Sequence, residues 1–166
     1  MDARDIVLIA HNLRSTHNVG SLLRTAEGLG VSKVYLSGYT PHPQHANDRR
    51  LPHEAAKIAK QLHKTALGAQ DMLAWEHHKD ILPVIAKLKK DGYIVAAIEQ
   101  AEDAKLLPGY HPPQKIALLV GREVEGIEQA ILDACDVILE IPMFGKKESF
   151  NVVQASAMAL YHCRFI

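Results

Sequence analysis

The chain reads as one α/β domain in which a largely parallel sheet is flanked by helices. Three observations lead there. Short apolar runs at 6–10, 33–36, 93–98, 116–120 and 137–139 have the length of strands, and segments with helical hydrophobic spacing separate most of them. Parallel neighbours need a crossover, and an alternation of strand and helix supplies it. The 166 residues leave room for one core. Hydrophobic residues at 48% against 23% charged are the balance of a chain that folds throughout, so residues 1–166 are taken as a single domain.

The opening residues, Met1 to Asp5, are polar and lead straight into the first apolar run, Ile6 to Ala10. No signal sequence is expected from them. No apolar run approaches the roughly 20 residues of a membrane helix, so a cytoplasmic protein with no membrane association is the expectation. Val19, Leu22, Leu23 and Ala26 then follow the i, i+3, i+4, i+7 spacing of one buried face. They predict a helix over about 19–29, with Arg24 on its polar side. Residues 38–52 hold three prolines with Gln44, Asn47 and Asp48 and no periodicity, which predicts a long surface loop.

Segments 54–67 and 80–90 read as surface helices, with Lys87, Lys89 and Lys90 crowding the end of the second, where cations suit the helix dipole. Trp75 falls in the segment connecting them, where packing is a better use for it than base stacking. The last segment, Val152 to Cys163, breaks the surface pattern. Val152, Val153, Ala155, Ala157, Met158, Ala159 and Leu160 leave hardly any polar stripe. Such a helix must be covered on more than one side, either as the central helix of its own domain or by a partner subunit. In the second case Ala159→Glu is expected to give monomers or aggregates.

Several classes are excluded. Cys135 and Cys163 lack C-x-x-C spacing, so both read as reduced thiols and not as a disulfide or zinc framework. Of ten histidines the closest pairs are His42-x-x-His45 and His77-His78, and neither belongs to H-E-x-x-H or pairs with cysteines, so no metal is expected. Nineteen basic residues balance nineteen acidic ones. Whole-molecule charge therefore lends nothing to nucleic-acid binding, which would have to rest on local concentrations such as Arg14, Arg24, Arg122, Lys146 and Lys147.

Three constellations carry polar chemistry. The first runs from Asn12 to Gly20 and on to Arg24-Thr25-Ala26: a polar loop after a buried strand, ending in Asn18, suited to capping, and then a glycine. It presents amides and side-chain donors at a helix start, where anionic groups are favoured. The second is Gly121-Arg122-Glu123-Val124-Glu125-Gly126, in which a buried strand ends at a glycine that lets a ligand approach the backbone, at the end of the sheet where α/β folds place their sites. It is neither G-x-G-x-x-G nor a phosphate-cradling G-x-x-x-x-G-K. The third is the stretch from Ile141 through Pro142, Met143 and Gly145 to Ser149, Phe150 and Asn151, where Ser149 and Asn151 are suited to capping the final helix and apolar loop residues suit an adenine.

Taken together and in this order, the three resemble the motifs of the SPOUT superfamily of RNA methyltransferases, in its SpoU branch of ribose 2′-O-methyltransferases. Asn18-x-Gly20-x-x-x-Arg24-Thr25-Ala26 is similar to motif one, Gly121-x-Glu123-x-x-Gly126 to motif two, and Ile141-Pro142-Met143 with Ser149-x-Asn151-Val152 to motif three. The resemblance covers nearly the whole chain. It implies a sheet whose last third is tied into a deep trefoil knot, an exception to the rule that chains do not thread loops. It implies S-adenosylmethionine as cofactor, held by Ile98 and the segment after it, Gly121, Ile141, Met143 and Phe150. It implies tRNA or rRNA as partner, and a homodimer with the final helix in its interface.

The resemblance assigns catalytic roles to Arg24, Asn18, Glu123, Ser149 and Asn151. Arg24 would act as, or help create, the base for the ribose hydroxyl. Asn18 and Glu123 would position Arg24 and the ribose, and Ser149 and Asn151 would hold the loop and the substrate. Phe150 stands where a leucine is more common, and Glu99 is either a welcome charge beside a sulfonium or a solvated loop residue. The additional RNA-binding segments that some relatives carry are not seen in the chain. Two rival classes remain: a non-catalytic RNA-binding dimer, opposed by the five polar residues together, and a dinucleotide oxidoreductase, opposed by the missing glycine fingerprint.

Overall fold

The computed structural model describes residues 3–166; of the polar opening segment, residues 1 and 2 lie outside the described residues. Seven strands form one sheet in which every pairing is parallel, in the order β3-β2-β1-β6-β4-β7-β5. They are β1 (Asp5–His11), β2 (Lys33–Ser37), β3 (Trp75–His78), β4 (Ile94–Ile98), β5 (Lys105–Leu106), β6 (Lys115–Val120) and β7 (Val137–Glu140). The helices are α1 (Thr16–Gly28), α2 (Pro52–Ala66), α3 (Ala69–Met72), α4 (Leu82–Lys90), α5 (Gln129–Ala134) and α6 (Val152–Phe165).

The period-2 alternation of side chains divides the core in two. Ile6, Leu8 and Ala10 of β1 point to the layer built by α1, α2 and α6, while Val7 and Ile9 point to the layer holding α4 and α5. Central strands buried on both faces are continuous apolar runs, which is why β1, β4 and β6 were legible in the sequence. Each fully buried Leu or Ile among them contributes about 2 kcal/mol of burial free energy. The predicted face of α1 is buried in full, with Val19, Leu22, Leu23 and Ala26 at 1% exposure or less.

Two strands had no sequence signal. Residues 75–78, read as connecting chain, form the edge strand β3, and all four are half-buried because only one side of the strand is paired. Trp75 packs against the core as expected, but from a strand. β5 is a two-residue edge pairing with β7. The loop at 38–51 lies outside any helix or strand as expected, yet its first part is not a surface feature: Thr40 and His42 are buried. Arg50 staples the loop by donating to the carbonyls of His42 and Pro43 and to the Asp48 carboxylate.

Helix starts also differ from expectation. α1 begins three residues earlier than predicted, and its cap is Ser15, whose hydroxyl accepts from the Asn18 amide at 3.1 Å. Asn18, expected as the cap, lies inside the first turn and its side chain is thereby free for another partner. Gly20 allows α1 and α2 to cross closely. A Cβ there would sit 2.4 Å from the Leu62 carbonyl oxygen.

The final helix, α6, packs its Ser156, Ala159, Leu160 and Cys163 side against α1 and the sheet. Met158, Tyr161 and Phe165 are exposed on the opposite side, at i, i+3 and i+7. No described helix is long and apolar enough to cross a membrane.

Candidate functional site

Because all strands run parallel, their carboxyl ends gather at one edge, and three strand-end segments and the start of α6 converge there. The segment after β4 brings Ile98, Glu99 and Gln100; the one after β6 brings Gly121 to Gly126; the one after β7 brings Ile141, Met143, Glu148, Ser149 and Phe150; and α6 adds Val152 and Ala155. Together they enclose a cleft of about 250 Å³. Its position outside the carboxyl ends is the general one for parallel α/β sheets.

The five residues expected to hold a cofactor, Ile98, Gly121, Ile141, Met143 and Phe150, all line this cleft, with Glu123 and Ser149 beside them. Ile98, Ile141, Met143, Phe150, Val152 and Ala155 make its walls apolar. Three acidic residues, Glu99, Glu123 and Glu148, line it against one basic residue, Arg122. Glu99 is not a solvated loop residue: its carboxylate accepts the Ile127 amide at 3.1 Å and packs against Gly126, where φ is +71° and a Cβ would lie 2.5 Å from the carboxylate oxygen. Gly121 is buried, and a Cβ on it would meet Ile127 at 2.5 Å. That glycine is also required by the packing of its own loop.

At the rim, the first and second constellations meet. Glu123 accepts from the Asn18 side-chain amide at 3.3 Å and from the Ser15 backbone amide at 3.4 Å. No bond joins either Asn18 or Glu123 to Arg24. Arg24 is exposed on α1 and has no hydrogen bond or ion pair among the described residues; six residues beyond Asn18, it lies about 120° around the helix. Asn151 caps α6 by accepting from the Val153 amide at 2.9 Å and does not line the cleft. Ser149 lines the cleft and takes no part in the cap.

The local concentration of positive charge is smaller than the sequence suggested. Arg14 stands 3.6 Å from Glu125, Arg122 is 3.5 Å from Glu128, and Lys147 is 3.3 Å from Glu148. Sequence reasoning passed over the polar group beneath the rim. His11 is buried at the end of β1, with Nδ1 2.8 Å from the Ser37 hydroxyl and Nε2 3.1 Å from the Asn12 side-chain amide. Burial pushes its imidazole below the ordinary histidine range, against the pull of Glu128. The only signal was a polar pair following an apolar strand.

With the site described, likeness to known proteins gives it a class. A solved structure of an AdoMet-bound rRNA methyltransferase from Sinorhizobium meliloti superposes with a TM-score of 0.80 at 18% identity, covering 98% of this chain and 57% of that one. The fold is therefore that of these methyltransferases. A Staphylococcus aureus protein assigned to the TrmH family of tRNA/rRNA methyltransferases is 28% identical over 155 residues, 93% of this chain and 56% of its own length. The 23S rRNA (guanosine-2′-O-)-methyltransferase RlmB of Neisseria meningitidis is 26% identical over 161 residues, 96% of this chain and 58% of its own. The chain spans little more than half the length of these relatives. Residues 5–161 match the model of the SpoU rRNA Methylase family, and the chain belongs to that family.

Proposed function

We propose that residues 1–166 form a single catalytic domain that uses S-adenosylmethionine to methylate a ribose 2′-hydroxyl of tRNA or rRNA, as a cytoplasmic homodimer paired through α6. The observation that carries this reading is the cleft. Its apolar walls suit an adenine, and its three carboxylates suit a cationic sulfonium, whereas the pyrophosphate of a dinucleotide would meet Glu99, Glu123 and Glu148 with like charge. The Sinorhizobium relative is bound to AdoMet, and the Neisseria relative is named for a ribose 2′-O product. When bound, the cofactor supplies an electrophilic methyl group.

The chain's own residues prepare the acceptor. Asn18 and Glu123 lock the start of α1 to the loop after β6, and Ser149 places a hydroxyl on the cleft wall. A guanidinium with a pKa above about 12 is a poor base in water, and Arg24 is solvated, so its part is to hold an RNA phosphate beside the ribose, which then takes the hydroxyl proton. Arg24 does not line the cleft of its own chain, and the exposed Met158, Tyr161 and Phe165 on α6 offer a face for a second copy. A dimer is the reading that supplies both needs. A deep trefoil knot is supported by the path of the last third, which leaves β4 for the edge at β5, returns to β6 on the other side of β4, and goes back to β7 between β4 and β5.

Calorimetry with S-adenosylmethionine, its demethylated product and NAD tests the cofactor. Heat with the first two and none with NAD is expected; tight NAD binding, or no heat with either methionine derivative at millimolar concentration, would overturn the reading. Ribose-methylation mapping of RNA from cells with and without the protein identifies the nucleotide, and a full set of unchanged ribose methylations would remove the 2′-hydroxyl from the proposal.

A further inference from the structure

Asn12 stands where three strand-end loops meet. It follows β1 with φ at +55°, a left-handed conformation that a Cβ disfavours and that asparagine tolerates better than most. Its side chain is fully used. Oδ1 accepts the Tyr39 backbone amide at 3.1 Å, reaching the loop after β2. Nδ2 donates to His11 Nε2 at 3.1 Å and to Glu128 Oε1 at 3.4 Å, reaching the loop after β6.

The hydrogen positions follow from this. Since Nδ2 can only donate, His11 Nε2 accepts, and the imidazole proton sits on Nδ1 facing the Ser37 hydroxyl. Space confirms the fit from the other side. Gly38 has φ at +65°, and a Cβ there would fall 1.8 Å from Asn12 Oδ1, so the glycine is the seat of the asparagine side chain.

The segment from Arg122 to Glu128 is a closed unit, bridged between Arg122 and Gly126. Two pins tie it to the chain between the end of β1 and the first turn of α1. One is Glu123 to Asn18 and Ser15; the other is Glu128 to Asn12, with Arg122 of the same unit 3.5 Å from the Glu128 carboxylate. We infer that Asn12 is a positioning residue of this site, whose side chain locks the loops after β1, β2 and β6 into one register and so holds Glu123 and the acceptor face of the cleft in place. It does not line the cleft. For its effect on turnover the inference rests on the methyltransferase reading above; for the tie between loops it does not.

Asn12→Gly separates the side chain from the backbone, because glycine adopts φ +55° without strain while losing both arms. Asn12→Asp keeps the acceptor for Tyr39 and loses the donor. If the side chain positions the loops, hydrogen exchange at the Tyr39 amide accelerates at least tenfold in Asn12→Gly and stays as in wild type in Asn12→Asp. Both variants lose about tenfold or more in single-turnover methyl transfer to RNA, from misplacement alone. Thermal midpoints of Asn12→Gly remain within a few degrees of wild type, and S-adenosylmethionine affinity changes less than threefold, outcomes that a merely structural role would not give. Wild-type exchange at Tyr39 in Asn12→Gly overturns the inference whatever the activity, and so does faster exchange with undiminished turnover. A wild type that transfers no methyl group while Tyr39 exchange still accelerates in Asn12→Gly supports the tie and sinks the methyltransferase reading instead.

Discussion

Asn18 Nδ2 donates to Glu123 Oε1 across 3.3 Å, joining residues 105 apart in sequence. Neither residue reaches Arg24, and this separation shapes the first prediction. Arg24→Ala is expected to leave cofactor affinity within a few fold, since Arg24 does not line the cleft, and to lower single-turnover methyl transfer by on the order of a hundredfold or more. Lysine should not rescue it, for lack of the planar fork. Calorimetry beside labelled-methyl transfer checks both, and near-normal turnover in the alanine variant would reduce Arg24 to a solvated helix residue.

The test of the dimer moves. Ala159 looked like an interface position in sequence, but it is fully buried against its own chain, so a glutamate there unfolds the protein whatever its oligomeric state. Tyr161 and Phe165 are 60% and 62% exposed on the opposite face, and their rings lie tilted against one another with 4.7 Å between centres. Tyr161→Glu with Phe165→Glu should give a folded monomer, detected by sedimentation at micromolar concentration alongside an unchanged circular dichroism spectrum. A wild type that sediments as a well-folded monomer under the same conditions would end the dimer proposal.

Gly20→Ala should destabilise by about 2–3 kcal/mol. The added methyl group meets Thr65 Oγ1 and the Leu62 carbonyl, and backbone at 2.4 Å cannot yield without moving α2. Urea unfolding reads this directly. A loss below about 0.5 kcal/mol would show that the two helices are looser than their contact implies.

Stability should fall on acidification. Burial pushes the His42 imidazole down to about 4 from the ordinary 6.5, and His11 and His77 are shifted the same way by burial. Between those values the unfolded chain binds a proton that the folded chain refuses, so stability rises with pH through this window and is lost as pH falls from 6.5 toward 4. For His42 alone the loss is about 3 kcal/mol. Denaturant midpoints at pH 7, 5.5 and 4.5 for wild type and His42→Gln are the check, and the variant should show the flatter dependence.

The central strands, the buried face of α1, and the lining of the cleft were legible because each rests on a local pattern: continuous apolar runs for strands buried on both faces, 3.6-residue spacing for helices, and short motifs at strand ends. Ile98, Gly121, Ile141, Met143 and Phe150 were grouped by the resemblance of the strand-end motifs to a known family, and the fold brings them to one edge because parallel strands deliver their carboxyl ends there. Other features were decided only by tertiary structure. β3 is a strand because residues 75–78 pair with β2, and their polar composition carries no strand signal. Ser15 and not Asn18 caps α1, since Asn18 spends its side chain on Glu123, a partner that exists only once β6 has been inserted beside β1. Gly121 lines the cleft where the sequence reading put it, but that it is also needed by the packing of Ile127 in its own loop, and Gly20 by the Leu62 carbonyl of α2, no local pattern showed. The role of Asn12 was out of reach for the same reason: its three partners lie 1, 27 and 116 residues away, and no local pattern encodes a hydrogen bond whose two ends are brought together by the sheet.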